Sequence, residues 1–174
     1  MKEIFVEDLR KIKKFKNKVE KALNVKLAID DKISIESKAD DAFSEYMTER
    51  VLEALSFNFK IGDALKLKDE DYMFEKINIK SYARQSRLKT VLGRLIGKRG
   101  KALKTFSLLS ECAIQIKDYD VALLGSAEDM DLAMLALMKL IRGSPHAKVY
   151  AFLERNRALK RYERKEDLGL KEEK

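Results

Sequence analysis

The chain has 174 residues, of which 45% are apolar and 38% charged, enough for one ordinary domain or two small ones with a buried core. No apolar run approaches the roughly 20 residues of a membrane span, and the acidic N-terminal segment argues against a secretory signal. The single cysteine, Cys112, excludes an internal disulfide and a cysteine-based zinc site, and predicts a reducing, cytoplasmic location.

The net charge of +8 is unevenly distributed along the chain. Residues 1–79 hold 16 Lys/Arg and 17 Asp/Glu, a net charge of −1, whereas residues 80–174 hold 21 and 12, a net charge of +9. One run of the second half contains nine cations and no acid: Lys80, Arg84, Arg87, Lys89, Arg94, Lys98, Arg99, Lys101 and Lys104. Because a solvated surface normally mixes both signs, this run favours a module that binds a polyanion.

In chain order, the first half predicts a strand, a helix, two strands and a second helix. A short strand is expected within "EIFV", and the alternating runs "VKLAID" and "KISIES" predict a hairpin. A helix over residues 7–23 is predicted to have an apolar inner face and a lysine-rich outer face. These faces consist of Leu9, Ile12, Phe15, Val19 and Leu23, and of Lys11, Lys14, Lys18 and Lys21.

The second helix of this half is predicted over residues 40–57, followed by a helical turn over residues 61–67. Its inward-facing residues are expected to be Phe43, Met47, Val51, Leu52 and Leu55. The polar stretch "KDEDYM" then predicts a domain boundary.

The second half repeats this order. "EKINIK" predicts a strand with Ile77 and Ile79 on one face, and "AIQIKD" and "VALLG" predict two more. "SAED" opens a strongly apolar last helix of the repeat. The repetition predicts a duplicated α+β fold with one domain over residues 1–70 and another over residues 75–174.

The helical region of the second half differs from that of the first. A basic helix is expected over residues 83–95 and a further helix over residues 101–110, with Gly97 and Gly100 between them. Glycines just before a helix allow an anion to approach the unpaired amides of its first turn, so this loop predicts a site for a sugar-phosphate backbone.

Apolar residues are predicted behind the loop and on the opposite side of its groove. Ile96, Leu103 and Phe106 are expected to anchor the two helices in the core. Ile114 or Ile116 is expected to line the other side of a narrow groove for unstacked bases.

The segment "LIGKRGKALKTF", followed by "CAIQI", resembles the I-G-x-x-G signature of a type I KH domain. That family has the order strand, helix, GxxG loop, helix, two strands, helix. The resemblance implies that the loop clamps about four nucleotides of single-stranded RNA or DNA.

A wider resemblance covers residues 19–161. "VLEALSFNFKIGDALKLKDEDYMFEKINI" and "IRGSPHAKVYAFLERNRALKR" are similar to segments of archaeal relatives of the partner-of-Nob family, tandem KH proteins of small-subunit ribosome assembly. This implies two tandem type I KH-like domains (β-α-α-β-β-α) plus a C-terminal helix. The first domain is expected to be degenerate, because "LRKIKKFKNKVEKAL" contains no GxxG loop.

The same resemblance implies a function. We expect a non-enzymatic RNA-binding protein, without a cofactor or metal, that binds the 3′ region of small-subunit rRNA or its precursor in ribosome biogenesis and rRNA processing. The implied partners are single-stranded RNA, the precursor of the small ribosomal subunit, the Nob-type endonuclease and translation initiation factor two alpha. No membrane partner is expected.

The tail "GSPHAKVY" has the signals of a helix start, with Ser144 as the N-cap and Pro145 in the first helical position. His146 is expected to form a local hydrogen bond. The helix is predicted to turn Val149, Phe152, Leu153 and Leu159 inward and to present a basic stripe, Arg157, Arg161 and Arg164.

The predicted RNA-binding set therefore combines the loop, its flanks, the groove wall and the tail helix. Its members are Gly97, Lys98, Arg99, Gly100, Lys101, Lys104, Arg94, Ile96, Ile114, Ile116, Arg157 and Arg161.

Two other functions compete with this interpretation. A P-loop enzyme would need the register G-x-x-x-x-G-K-[ST], but Lys98 stands five residues after Gly93 and Ala102 stands five residues after Gly97. A general single-stranded nucleic-acid-binding KH adaptor that acts mainly through protein–protein contacts is the stronger alternative, since the first domain lacks the loop.

Overall fold

The computed structural model describes residues 2–4, 9–30, 32–37 and 41–167. Its strands are β1 (Lys2–Ile4), β2 (Val25–Ile29), β3 (Ile33–Ser37), β4 (Tyr72–Asn78), β5 (Ala113–Lys117) and β6 (Asp120–Ser126). Its α-helices are α1 (Leu9–Leu23), α2 (Ala42–Ser56), α3 (Ile61–Ala64), α4 (Leu88–Ile96), α5 (Lys101–Ser110), α6 (Ala127–Arg142) and α7 (His146–Asp167). The predicted α+β fold, with its C-terminal helix, is confirmed.

The chain forms two compact units that interleave along the sequence. The first combines residues 1–77 with 113–127, and the second combines residues 78–112 with 128–174. The first unit holds both β-sheets and helices α1, α2 and α3, whereas the second is built around α4, α5, α6 and α7. The division into domains at 1–70 and 75–174 stays a prediction.

The two sheets have the same strand arrangement. In one, β3 lies between β1 and β2, and both pairings are antiparallel. In the other, β6 lies between β4 and β5, and the β5–β6 pair is an antiparallel hairpin in which Lys117 faces Asp120. In each sheet the last strand of the repeat is therefore central, as expected from a duplicated order of elements.

Helix α1 follows directly from its sequence pattern. Ile12, Val19 and Leu23 are buried at helical spacing, whereas the intervening positions are mostly charged. The helix runs without interruption over its 15 residues, because no glycine breaks the pattern. The expectation that the first repeat lacks a GxxG loop is confirmed.

Helix α2 begins with a side-chain cap. Asp41 accepts hydrogen bonds from the amides of Phe43 at 3.0 Å and Ser44 at 3.2 Å. The pKa of Asp41 is lowered, mainly because the Ser44 hydroxyl donates a hydrogen bond to its carboxylate.

The prediction that Phe43 faces inward is wrong: its side chain is 47% exposed, because the buried stripe of α2 begins further along the helix, at Thr48.

Three predicted boundaries also differ from the structure. The strand β4 begins at Tyr72, inside the stretch predicted as a boundary, and ends before Ile79, which lies in a 3₁₀ turn. The basic helix begins at Leu88 rather than residue 83, because Gln85–Arg87 form a separate 3₁₀ turn before it.

In the second unit, α6 and α7 bury apolar residues at helical spacing. Met130, Leu137 and Ile141 of α6 are buried, as are Val149 and Leu153 of α7. Leu159, predicted to face inward, is 54% exposed. Leu159 lies six residues after Leu153, so in a regular helix its side chain points about 120° away from that of the buried Leu153. No helix in the described ranges is both long and apolar enough to span a bilayer.

Candidate nucleic-acid interface

The glycine pair forms a tight turn between α4 and α5. Gly97 ends α4 with φ 70° and ψ 178°, and residues 98–100 form a single 3₁₀ turn. Arg99 (φ 54°) and Gly100 (φ 74°) both adopt left-handed conformations, and α5 begins at Lys101. The predicted loop is therefore present, between the two helices that the sequence pattern indicated.

The two glycines serve different structural needs. A Cβ on Gly97 would lie 2.5 Å from the Cβ of Ala102 and 2.8 Å from its amide nitrogen, so this glycine permits the loop to close onto α5. Its φ and ψ also fall in a region that is essentially restricted to glycine. A Cβ on Gly100 would meet no atom within 4 Å, so this glycine leaves the backbone open to a ligand.

The first turn of α5 is electrostatically suited to an anion. Its N-cap, Gly100, forms no side-chain cap hydrogen bond with the described residues, and no acidic residue lies in its first turn. The amides at a helix N-terminus lack intrahelical acceptors and lie at the positive end of the macrodipole. A phosphate that approaches the open side of Gly100 would therefore meet a positive surface.

Four cations surround this turn. Lys98, Arg99, Lys101 and Lys104 are all exposed, and none of them has an ion pair or side-chain hydrogen bond in the described structure. Side chains that remain solvated can be transferred to phosphate oxygens without breaking an internal contact. The structure thus places together the four cations that the sequence indicated.

Arg94 differs from these four cations. Its side chain is half-buried, and its Nη2 donates a hydrogen bond to the backbone oxygen of Ser144 at 2.6 Å. The guanidinium groups of Arg94 and Arg87 also lie close to Gly143, which has φ 108°. Arg94 therefore ties α4 to the turn before α7, and a direct contact with RNA stays a prediction for this residue.

The start of α7 contacts the chain on both sides of the loop. His146 Nε2 lies 3.0 Å from the backbone oxygen of Arg94, three residues before Gly97. Because a carbonyl only accepts, this nitrogen must carry the proton. Tyr150 donates its hydroxyl to the backbone oxygen of Ala102 at 3.3 Å, and burial raises the pKa of this phenol. The prediction that His146 forms a local hydrogen bond is therefore wrong: its partner lies 52 residues earlier in the chain, and the contact supports the loop.

Replacing His146 by alanine is expected to destabilise the fold by about 1 kcal/mol, since one hydrogen bond of the loop support is lost. We also expect RNA affinity to fall several-fold and the amide resonances of Gly97 and Gly100 to shift, measured by titration and by NMR. His146→Gln, which offers an N–H at a similar distance, should restore both. Lys148→Ala, at an exposed position of α7, is the matched control, and equal behaviour of the two alanine variants would contradict a supporting role.

The apolar residues near the loop divide into two groups. Phe106 is buried and Leu103 half-buried, which confirms their expected packing role. Ile96 is 40% exposed, so its predicted role as a core anchor is wrong. It is the last residue of α4, where its side chain remains accessible to a base. Ile114 is buried and Ile116 half-buried on β5, in the first unit.

The basic stripe predicted on α7 is partly neutralised. Arg157 Nε lies 2.7 Å from a carboxylate oxygen of Glu111, and Arg164 lies 3.9 Å from Glu128. Arg161 is exposed and has no such partner among the described residues. RNA contacts by Arg157 and Arg161 stay predictions, and the structure favours the second of these residues.

A charged cluster links α7 to the start of α6. Lys160 Nζ lies 2.6 Å from Asp129 and 2.8 Å from Glu128. The hydrogen bond from Lys160 lowers the pKa of Glu128. Cys112 is buried, and burial raises the pKa of its thiol to about 12. In the described ranges, no group of three or more His, Cys, Asp or Glu residues could hold a metal ion.

Sequence reasoning missed the contacts that hold the loop. The partners His146 and Arg94 are 52 residues apart, and Tyr150 and Ala102 are 48 residues apart. The available signal was the segment GSPHAKVY, which places His146 and Tyr150 one helical turn apart. In the structure, the centroids of their rings lie 5.7 Å from each other.

A family model matches residues 73–158, and its description is eukaryotic type KH-domain (KH-domain type I). This range includes the glycine turn, β5, β6, α6 and the first half of α7.

Curated relatives agree with that match. A KH domain-containing protein of Methanocaldococcus jannaschii is 33% identical over 147 residues, which cover 82% of the chain and 65% of the relative. The RNA-binding protein pno1 of Drosophila pseudoobscura pseudoobscura is 34% identical over 59% of the chain and 44% of its own length. The pre-rRNA-processing protein pno1 of Aspergillus fumigatus is 31% identical over 62% of the chain and 44% of its own length. The chain thus spans less than two thirds of these relatives.

Solved structures share the fold over almost the whole chain. A protein of unknown function from Aeropyrum pernix has a TM-score of 0.84 at 26% identity, covering 98% of the chain and 97% of its own. Dim2p from Pyrococcus horikoshii, in a complex with a/eIF2alpha and rRNA, has a TM-score of 0.77 at 26% identity, covering 89% of the chain and 92% of its own.

Proposed function

The chain belongs to the family of KH-domain proteins that includes Pno1 and Dim2p, and from this membership we propose that it binds small-subunit rRNA or its precursor during ribosome biogenesis. The proposed target is a single-stranded segment in the 3′ region of that RNA. The relatives named as RNA-binding and pre-rRNA-processing proteins support this function.

The observation that carries the proposal is the open glycine turn with its four cations, which are unpaired among the described residues. Gly100 leaves space beside the main chain for a ligand, and the exposed Lys98, Arg99, Lys101 and Lys104 flank it in the sequence. In this mechanism the sugar-phosphate backbone lies along the turn, and the cations neutralise successive phosphates. The accessible side chain of Ile96 contributes an apolar contact with an unstacked base. His146 and Tyr150 keep the turn in place.

The affinity for RNA should depend strongly on salt. Four neutralised phosphates of a single strand correspond to a slope of about −3 in log K against log salt, so Kd should rise about 50-fold between about 50 and 200 mM salt. Titration with single-stranded oligonucleotides that tile the 3′ region of small-subunit rRNA would measure this slope, with thermal unfolding at each salt concentration as the control. A flat response would contradict binding through the loop.

Protein partners form a second part of the proposal. The Pyrococcus structure contains Dim2p together with a/eIF2alpha and rRNA, which supports translation initiation factor two alpha as a partner. The Nob-type endonuclease is the other proposed partner. Phe43, Tyr46 and Met73 expose large apolar surfaces in the first unit, and such residues are typical of protein interfaces.

We further propose that the chain acts by binding and not as an enzyme. The KH adaptor that works mainly through protein contacts remains the second candidate, favoured by the exposed apolar residues of α2 and β4. Full RNA affinity in a Phe43→Ser/Tyr46→Ser variant, with loss of protein partners, would separate the two activities. The cytoplasmic location stays a prediction.

A further inference from the structure

Helices α6 and α7 pack against each other in opposite directions. Near the end of α6, Lys139 Nζ lies 3.9 Å from the centroid of the Phe152 ring, near the start of α7. At the other end of the pair, Lys160 of α7 lies 2.6 Å from Asp129 of α6. Both helices belong to the second unit, so their outer sides can form one surface.

The middle of this outer surface is apolar. Leu135 of α6 is 48% exposed, and Leu159 and Tyr162 of α7 are 54% and 62% exposed. Leu132 and Leu159 also line an open groove between the two helices. Because positions three apart are neighbours on a helix, Leu135 and Tyr162 continue this surface on either side of the groove. We call the surface formed by these four side chains and the charges around them the α6/α7 face.

The spacing along α7 is that of a helix with a second helix packed on its outer side. Lys148, Phe152, Arg155, Leu159 and Tyr162 follow each other by alternating steps of four and three. An average step of 3.5 residues keeps such positions on one side of a helix. All five side chains are exposed or half-buried. The pattern therefore indicates a helix–helix contact that one chain alone does not provide.

The two ends of the α6/α7 face carry opposite charges. The exposed cations Lys148 and Arg155 lie in the first half of α7, and the exposed Arg142 ends α6 at the same end of the pair. The exposed acids are Asp131 in the first half of α6 and Glu163 in the last third of α7. None of these five side chains has an ion pair among the residues that the structure describes.

The neighbouring charges are already engaged within the chain. Glu128 lies 2.8 Å from Lys160 and 3.9 Å from Arg164. Lys139 contacts the Phe152 ring. The charges left for a partner are therefore separated along the face, with cations at one end, acids at the other and leucines between them.

A second copy of the chain matches this pattern. Arg155 and Glu163 lie four residues before and after Leu159, which is about 6 Å in each direction along the helix. Antiparallel pairing of two α7 helices about Leu159 places each Arg155 at the level of Glu163 of the other copy. A two-fold axis repeats every contact, so this match occurs twice in one dimer.

Other classes of partner fit the face less well. The unpaired Asp131 and Glu163 would repel the phosphates of a nucleic acid. An unrelated protein would need the reverse order of charges at the same spacing, whereas an antiparallel copy has that order by symmetry.

We propose that the chain associates with a second copy of itself through the α6/α7 face, in an antiparallel two-fold arrangement. Tyr150, which supports the glycine turn, lies nine residues before Leu159 and so points in the opposite direction on a regular helix. Association therefore leaves the glycine turn free, and the dimer carries two such turns.

Sedimentation equilibrium of the full chain tests this association directly. Over protein concentrations from about 10 μM to 1 mM, the average mass should rise from 20.1 kDa towards twice that value. The small apolar centre predicts a weak, transient dimer, with a dissociation constant of about 10–500 μM. Leu135→Gln/Leu159→Gln should remain monomeric over this range, and its thermal midpoint should not fall, since both side chains are exposed.

An exchange of charges tests the arrangement of the two copies. Arg155→Glu alone and Glu163→Arg alone should each weaken association by at least about tenfold, because the two-fold axis repeats each new repulsion. Arg155→Glu/Glu163→Arg restores opposite charges at both levels and keeps the net charge of the parent. Its dissociation constant should return to within about threefold of the parent value.

The matched control for Arg155→Glu is Arg161→Glu. Arg161 is exposed on the same helix, but it lies six residues after Arg155 and points about 120° away from it. The control should associate like the parent protein.

Three results would overturn the inference: a parent protein that stays monomeric at about 1 mM, an exchange variant that remains as weak as the single variants, or an equal loss in the control. A monomeric parent would leave the face to a different protein. Binding of a short single-stranded RNA should be the same in the parent and in the exchange variant, so its outcome reports on the glycine turn and not on the α6/α7 face.

Discussion

Replacing Lys98 and Arg99 by aspartate is expected to lower RNA affinity by at least about 100-fold, because each reversal removes an attraction to phosphate and adds a repulsion of similar size. Both side chains are exposed and have no partner among the residues that the structure describes, so the fold should lose little stability. Titration with a single-stranded oligonucleotide measures the affinity, and thermal unfolding measures the stability.

The control for this variant must carry the same change in charge. Lys148→Asp/Arg155→Asp does so at exposed positions of α7 that lie outside the predicted site and have no ion pair within the described ranges. We expect this control to lose only a fraction of the affinity lost by the loop variant. If both variants lose affinity equally, net charge alone governs binding, and the loop is not the site.

The second large effect concerns the difference between Gly97 and Gly100. Gly97→Ala should destabilise the fold by about 3 kcal/mol, because it combines an unfavourable backbone conformation with a Cβ only 2.5 Å from that of Ala102. Gly100→Ala should cost only about 1 kcal/mol, because the left-handed conformation is the sole obstacle. Denaturant unfolding of the two variants measures the difference.

At Gly100 the effect of a charged substitution on RNA binding should be large, although the effect of substitution on stability is small. Gly100→Asp adds a negative charge at the open side of the turn and should abolish most RNA binding, while the fold remains intact. Gly100→Asn is the matched control, since asparagine tolerates a left-handed conformation and has a similar size without the charge. A smaller loss for asparagine than for aspartate would identify repulsion of phosphate as the cause. Unchanged affinity in the aspartate variant would place the groove elsewhere.

Local sequence patterns were sufficient for much of the fold. The alternation in "VKLAID" and "AIQIKD", the helical spacing in α1 and the glycine pair each depend on residues that are close in the chain. Such patterns report backbone preference and the side of an element that is buried. They therefore predicted the order of elements, the uninterrupted α1 and the position of the loop.

The errors in predicted burial concern apolar residues on helices. Phe43 lies one turn before the buried stripe of α2 begins, and Leu159 lies off the buried face of α7. Ile96, read as a core anchor, is exposed at the end of α4. Helical phase already places Leu159 away from Leu153. For Phe43 and Ile96, whether a neighbour covers the side chain depends on packing that the pattern does not contain.

The sequence by itself determined that this protein has a duplicated α+β order, a cationic second half and one glycine turn at the start of a helix. Only the tertiary structure decided which cations are available: Arg94 donates a hydrogen bond to Ser144, 50 residues away, whereas Lys98 and Arg99 are unpaired in the part of the chain that the structure describes. It also decided that the two sheets share one compact unit and that His146 and Tyr150 support the turn. The physical reason is that charge and hydrogen-bonding capacity belong to a residue, but the partners that consume them are brought close only when distant segments of the chain pack together.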